Sequence, residues 1–420
     1  MNIEKDYLIK QFVKEYGKEP SSFYSAPGRT ELVGNHCDHQ HGRVLSAALR
    51  MRACAAVLPS VSGRIRISAD GFAPFEVQLS DLDIKPEEFG TSIALVRGVT
   101  AGFENLLDSG KFNQNSGMPE SESHCAYKDS ANRVNSYSNF ANFKGFDAYI
   151  ASDIPMGKGL SSSAAFEVLI GRIINELGGF GLDELEIARI GMLAENNYYG
   201  KPCGLMDQTI SSVGKCVTVD FLDPANPIVE EIPFAPSEHG YALCIIDTGA
   251  SHDDLTDDFA NIISDMAVIS EHFGISHLRD LKPADFFEIK DELCERYGQR
   301  AVDRACHFIY ENDRVQKSAQ ALKDNRFEDY LSLVNESGRS SEELLSNITS
   351  EYHPELTALS DTLSLLSKLQ ETLLDGRGAY RVHGGGFAGT AQAYVPLEKL
   401  DDFRKKIEAV LGVGTCLVVF

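Results

Sequence analysis

The chain has 420 residues, and its 39 Lys and Arg against 62 Asp and Glu give a formal net charge of −23. Hydrophobic residues at 43% and charged residues at 24% are ordinary globular usage, which excludes collagen-like, coiled-coil and wholly disordered chains; at roughly 150 residues per domain the length suggests two or three domains. The acidic balance argues against a general binder of nucleic acid or membrane surfaces, yet it leaves room for an anionic ligand held by a local Gly-rich loop.

Residues 2–17 read as an amphipathic helix, with Ile3, Tyr7, Leu8, Phe12 and Val13 at helical spacing. A stretch dense in Gly and polar groups, SAPGRTELVGNHCDHQHG, follows. The apolar runs VLSAAL and ACAAVL, then RIRISAD and FEVQLS, read as strands joined by short turns. Residues 91–107 are helical in pattern, and from 109 to 143 Ser, Asn, Lys and Gly dominate, which predicts a loop insertion. GFDAYIASDIP reads as a strand and MGKGLSSS as a loop entering a helix. In that helix Ala165, Leu169, Ile173 and Leu177 fall four apart, and Gly178 and Gly179 stop it. A second helix runs from 182 to 199, strands follow at CVTVDFL and YALCIIDTG, and 256–375 is mostly helical. The end, from AYRVHGGGFAG onward, alternates strand, turn, helix and strand. No internal repeat is visible, and the mixed order indicates α+β architecture rather than regular βαβ alternation.

The nine cysteines include no Cys-x-x-Cys pair, which suggests reduced thiols rather than a disulfide framework or a zinc site. Charges interrupt every apolar run of the N-terminus, and no 18-residue apolar stretch occurs, so a cytoplasmic protein without a spanning helix is expected.

Four segments carry candidate chemistry. In Pro155–Ala165, PMGKGLSSSAA, two glycines permit close backbone approach and three hydroxyls stand at a helix start. Free N–H groups and the positive end of the helix dipole favour an anion there. It is not a Walker A loop, since no G-K-[ST] occurs, and a Gly turn with Ser N-caps is the plainer alternative. PGRTELVGNHCDH packs Arg29, His36, Asp38 and His39 into a few residues, enough for a polar pocket for hydroxyl-rich ligands. His36, His39 and His41 lack the i, i+4 spacing of a helical zinc motif. AENNYYGKPCGLMDQ sets Glu195 late in a helix and Asp207 beyond a Pro/Gly turn, a split that suits one metal ligand and one base. HGGGFAG, residues 383–389, is a backbone able to approach a ligand or a second loop closely.

Taken in order, these four segments resemble the GHMP small-molecule kinases and, within them, the galactokinases, over about residues 23 to 395. The resemblance implies a two-domain α+β fold with the active site in the interdomain cleft, an N-terminal domain of 1–210 and a C-terminal domain of 211–420. It implies an ATP- and Mg²⁺-dependent sugar 1-kinase with ATP and a small sugar as its partners; the sequence does not give the oligomeric state, and a monomer is the expectation. Asp207 matches the family's catalytic aspartate and Arg29 the arginine that works with it. Gly157, Lys158, Gly159, Leu160, Ser161, Ser162 and Ser163 match the loop that holds the ATP phosphates; Ser162 and Glu195 match the positions near the metal ion. Asn35, His36, Asp38, Gly204 and Phe259 match positions that bind the sugar.

Two of those positions depart from the galactokinase pattern. Asn35 stands where the family has glutamate, so a group that donates and accepts replaces a pure acceptor. Phe259, counted from His252, stands where a tyrosine is usual and removes one hydroxyl partner. Galactose is the leading substrate; N-acetylgalactosamine, galacturonate or arabinose is the alternative, the neutral Asn35 suiting an anionic sugar. A sensor of sugar and ATP without catalysis is disfavoured by the intact Arg29, Asp207 and serine triplet. Tryptophan is absent, which excludes an adenine pocket built on one.

Overall fold

The protein is described as a computed structural model covering residues 3–109, 140–250 and 255–420. Most of the stretch read as an insertion, and His252, lie outside the described residues. The chain forms two compact units. The first is Met1–Arg29, Ala48–Met156 and Leu160–Gly214; the second is Thr30–Ala47, Gly157–Gly159 and Lys215–Phe420.

The elements of the first stretch, in chain order, are α1 (Lys5–Tyr16), β1 (Ser22–Val33), β2 (Arg43–Pro59), β3 (Arg64–Ala69), β4 (Phe72–Gln78), α2 (Ser92–Ser109), β5 (Gly145–Ser152), α3 (Ser162–Gly178), α4 (Glu184–Ala194) and α5 (Met206–Val213). Leu8 and Phe12, one turn apart on α1, bury against Ala56, Tyr149 and Ala151 of β2 and β5. Gly17, left-handed, ends the helix by returning its N–H to Val13 O.

The apolar runs read as two strands form one, β2. Between them lie Arg50 to Arg52, which contain none of the Gly, Pro, Asn or Asp that a turn needs. The stretch dense in Gly and polar groups that begins at Ser25 likewise starts as strand: residues 22–33 form β1, and their last eight positions are buried. Within the first unit Ala53–Pro59 of β2 pairs antiparallel with β5, β5 pairs parallel with β3, and β3 pairs antiparallel with β4. Helices α2, α3, α4 and α5 pack on one another. The four-residue apolar spacing of α3 holds: Ala165, Leu169 and Ile173 are fully buried, and left-handed Gly179 caps the end.

The second unit contains β6 (Cys216–Asp220), β7 (Ile228–Glu231), β8 (Tyr241–Asp247), α6 (Thr256–His272), α7 (Pro283–Glu288), α8 (Lys290–Tyr297), α9 (Gln299–Lys323), α10 (Phe327–Ser340), α11 (Ala358–Thr372), β9 (Ala379–His383), β10 (Thr390–Pro396), α12 (Leu400–Leu411) and β11 (Cys416–Val418). Arg43–Ala47, the start of β2, pairs with β6, and β6 with β7. A separate antiparallel sheet runs in the order β11-β8-β10-β9. Leu359, Leu366 and Leu369 of α11, with Phe403 and Ile407 of α12, fill its core against Ile246, Val382 and Val395. Among the described residues no helix is long and apolar enough to cross a membrane.

Candidate active site

In the first unit the serine triplet organises two carboxylates. Ser161 adopts φ 56°, a left-handed conformation uncommon outside glycine. Although it is the N-cap residue of α3, its hydroxyl caps nothing; it donates to Asp207 Oδ2 at 2.5 Å. Asp207 is the second residue of α5. Its Oδ1 accepts from Arg29 Nε at 2.7 Å and Nη2 at 2.6 Å. Ser163 donates to Glu195 Oε1 at 3.1 Å. The first and third hydroxyls therefore hold Asp207 and Glu195, and Ser162 between them begins α3.

Local structure explains how Glu195 gets there. Helix α4 starts on a capping box, Asp183 with Glu186, and ends in a π-helical turn, Glu195–Tyr199. The extra residue of such a turn re-aims the side chains that follow it, and π turns recur at functional sites. Asn196 then ties to Cys203 through both amide atoms, at 2.6 and 3.2 Å, fixing the chain that leads through exposed Gly204 to Asp207. Glu195 is almost wholly buried, and beside it Glu167 is held well above the usual carboxylate range, first by burial and then by the Glu195 charge.

Arg29 is set by its own strand. Its N–H donates to Leu160 O at 3.1 Å, and Ser211 Oγ donates to Pro27 O at 2.8 Å. A Cβ on Gly28 would lie 2.7 Å from Leu160 O and 3.2 Å from Ile154 Cγ2, so only glycine lets β1 lie this close to the loop. Gly28→Ala is expected to cost about 1–3 kcal/mol by overpacking and to displace Leu160. The check is a urea midpoint together with calorimetric ATP affinity, and both should fall.

The second unit holds the other set. Gly34 N–H donates to Glu311 Oε1 at 2.9 Å, and the Asn35 carbonyl accepts from His307 Nε2 at 3.0 Å, so α9 anchors this loop through two buried side chains. The amide of Asn35 is turned inward. Its Nδ2 donates to Gly384 O at 2.6 Å and its Oδ1 accepts from Asn347 Nδ2 at 2.8 Å, with the residue 1% exposed. The Asn35 amide, expected to face a sugar, is met by protein groups, as a buried amide satisfies itself on the nearest polar partners.

His36 is similarly engaged. Its Nε2 faces Gly385 O at 2.9 Å and its Nδ1 faces His39 Nε2 at 3.3 Å. A carbonyl requires a donor, so His36 carries its proton on Nε2 and His39 donates to Nδ1. Burial pushes the His36 pKa down and lowers that of His39 to about 3, with the His36 ring a further contribution. Phe259, half-buried on α6, stacks on His36 at 6.2 Å and meets Phe387 edge-on at 5.6 Å. A Cβ on Gly385 would come within 2.5 Å of the Phe259 ring, so the glycine run admits that aromatic. Asp38 opens the short 3₁₀ turn Asp38–Gln40.

Lys158 forms an ion pair with Asp247 at the end of β8. His383 links Thr30 Oγ1 at 3.0 Å to Thr390 Oγ1 at 2.9 Å. Sequence reasoning missed Asp247, Glu311, Asn347, Glu167 and Gln208. Glu167 carried a signal, as an acidic residue inside the apolar stripe of α3. Glu311 and Asn347 carried none.

Among the described residues no three His, Cys, Asp or Glu side chains assemble to hold an ion. Mg²⁺ in phosphate-transfer sites needs only one or two carboxylates, the remaining ligands being phosphate and water oxygens. A buried Glu195 beside serine hydroxyls supplies hard oxygen donors of that kind, so the residues fit the ion.

Residues 125–215 match the family described as GHMP kinases N terminal domain, and residues 10–59 match the galactokinase galactose-binding signature. The galactokinase of Actinobacillus pleuropneumoniae serotype 3 is 29% identical over 399 residues, covering 95% of this chain and 91% of that protein. The galactokinase of Streptomyces coelicolor is 28% identical over 403 residues, 95% and 91% of the two chains. In fold the chain is similar to Lactococcus lactis galactokinase complexed with galactose, at a TM-score of 0.74 and 21% identity over 99% of this chain and 97% of that one. The mevalonate kinase of Methanococcus jannaschii, at 0.55 and 15% identity over 92% and 95%, shares the architecture more distantly. Along most of its length the chain is thus similar to galactokinases, and its residues 125–215 and 10–59 match the GHMP kinase N-terminal domain and the galactokinase galactose-binding signature.

Proposed function

We propose that the protein transfers the γ-phosphoryl group of ATP to the anomeric hydroxyl of galactose, giving galactose 1-phosphate and ADP. The observation that carries this reading is Asp207, held on one oxygen by Arg29 and on the other by Ser161. Asp207 accepts the proton of the sugar hydroxyl as the new oxygen–phosphorus bond forms and the β,γ-bridge to ADP breaks. Arg29 holds Asp207 in place and offsets the charge that grows on the moving phosphoryl group. Backbone amides of Gly157 to Ser163, at the start of α3, hold the phosphates. Mg²⁺, when bound, neutralises charge on the β- and γ-phosphates; Glu195 with Ser162 or Ser163 would hold it. Asp38, His36, Phe259 and Gly204 hold the sugar, His36 and Phe259 offering ring faces. The eight described cysteines are free thiols, consistent with work in the cytoplasm.

A second reading, a related galacto-configured sugar, is favoured by one observation: the Asn35 amide is engaged by Gly384 and Asn347, so its polar atoms are already taken by protein groups. ADP release with MgATP is the test, against galactose, N-acetylgalactosamine, galacturonate, arabinose and glucose, with Asp207→Asn as the blank. Galactose is expected to be turned over fastest, and activity confined to another sugar would replace it. Phe259→Tyr is expected to lower KM for galactose about three- to tenfold, one recovered hydrogen bond; an unchanged KM removes Phe259 from the sugar set.

A further inference from the structure

Gln208 follows Asp207 in the chain and is wholly buried. Its side-chain nitrogen reaches two carboxylates at once, Glu195 Oε2 at 2.8 Å and Glu167 Oε2 at 3.0 Å. An amide nitrogen carries two hydrogens, one for each. This orientation leaves Gln208 Oε1 buried without a partner, and Glu167 Oε1 as well. Such a buried, unpartnered oxygen destabilises the fold. Rotating the amide would turn its carbonyl toward Glu195 Oε2 and forfeit the bond to that carboxylate. The cluster thus fixes a single amide orientation at a cost in stability. What that orientation secures is Glu195, whose Oε2 is held by Gln208 while Oε1 is held by Ser163 at 3.1 Å. Glu195 opens a π-helical turn, a feature that recurs at functional sites.

We propose that Gln208 is a positioning residue for the magnesium–nucleotide complex: anchored on Glu167, it sets the direction of the Glu195 carboxylate beside the Ser163 hydroxyl. The inference rests on Glu195 being a ligand of the ion, and the experiment separates the two. The readout is calorimetric affinity for the non-hydrolysable analogue AMP-PNP, with and without Mg²⁺, with an unfolding midpoint for every variant. Glu195→Gln is expected to abolish the gain in affinity that Mg²⁺ brings. Gln208→Leu should reduce that gain about tenfold and leave metal-free affinity within about twofold, the size typical of groups that orient a metal ligand. Glu167→Gln keeps a carbonyl that accepts from Gln208 and should behave as native, whereas Glu167→Leu should show part of the loss. If Gln208→Leu fails to fold, Gln208→Asn is read the same way, its amide being too short to reach both carboxylates. An unchanged Mg²⁺ gain in Glu195→Gln overturns the ligand reading. A loss in Glu195→Gln with a native gain in the Gln208 variants, or an equal loss with and without Mg²⁺, overturns the role of Gln208.

Discussion

Asp207→Asn is expected to lower turnover about a thousandfold or more, the scale of a lost general base together with its charge, and to leave ATP affinity near native. The reason is geometric. Asparagine has the same shape, so its carbonyl keeps the Arg29 contact now made by Oδ1, and its amide can donate to the Ser161 oxygen in place of accepting from it. The loop, the strand and α5 thus keep their ties while the negative charge and the proton acceptor disappear. A coupled ADP assay beside calorimetry of nucleotide binding separates the two effects. Near-native turnover would take Asp207 out of the mechanism, and lost nucleotide binding would make its role structural.

Glu311→Gln carries the second large effect, about 3–5 kcal/mol of stability, because it removes the buried partner of the Arg314 guanidinium, whose other carboxylate, Glu336, stands 3.7 Å away and half-exposed. Glu311 is wholly buried; Oε1 takes the Gly34 N–H at 2.9 Å and the Ser337 hydroxyl at 2.6 Å, and Oε2 pairs with Arg314. Burial alone would raise its pKa, but the Arg314 charge, then those of His307 and Arg381 and the Ser337 bond, bring it down to about 2. A depressed carboxyl contributes stability present above its unfolded value and lost as pH falls toward the folded one, here between about 4.5 and 2. Its neighbour acts higher on the scale. Burial holds His307 at about 4 against an ordinary 6.5. The unfolded chain therefore binds a proton that the folded one refuses, and on the order of 3 kcal/mol is lost between pH 6.5 and 4. Urea titrations from pH 7 to 4 should show the native protein weakening across that window. Glu311→Gln should begin several kcal/mol lower at pH 7 and bind sugar more weakly, since Gly34 and Asn35 lose an anchor. A midpoint at pH 7 equal to native would refute the role given to this carboxylate.

Much of this was legible in the chain. Helical spacing gave α1 and α3 with their glycine stops, because those signals are local: periodicity of apolar residues and a left-handed cap are properties of a few consecutive residues. The residue types for phosphoryl transfer were legible for the same reason, since a glycine-flanked run of three hydroxyls and the Glu195 and Asp207 segment are each contiguous. Locality also explains the errors. VLSAAL and ACAAVL looked like two strands because a polar patch at Arg50 to Arg52 interrupts them, and nothing local says that a strand continues until its partners β5 and β6 are known.

The sequence by itself determined the inventory: an acidic α+β chain that resembles the galactokinases, with Arg29, Asp207, Glu195 and a serine triplet in it. Tertiary structure decided how those groups are used. Only folding pairs Ser161 with Asp207 and Ser163 with Glu195, and only folding brings Gln208 between Glu167 and Glu195. Asn35 makes the same point in reverse, because a side-chain amide in an unfolded chain is equally suited to a ligand or to the protein. Its burial against Gly384 and Asn347, more than 300 residues away in sequence, chose the protein. Side-chain type sets what bonds are possible, and burial, which depends on the whole chain, dictates which of them must be made.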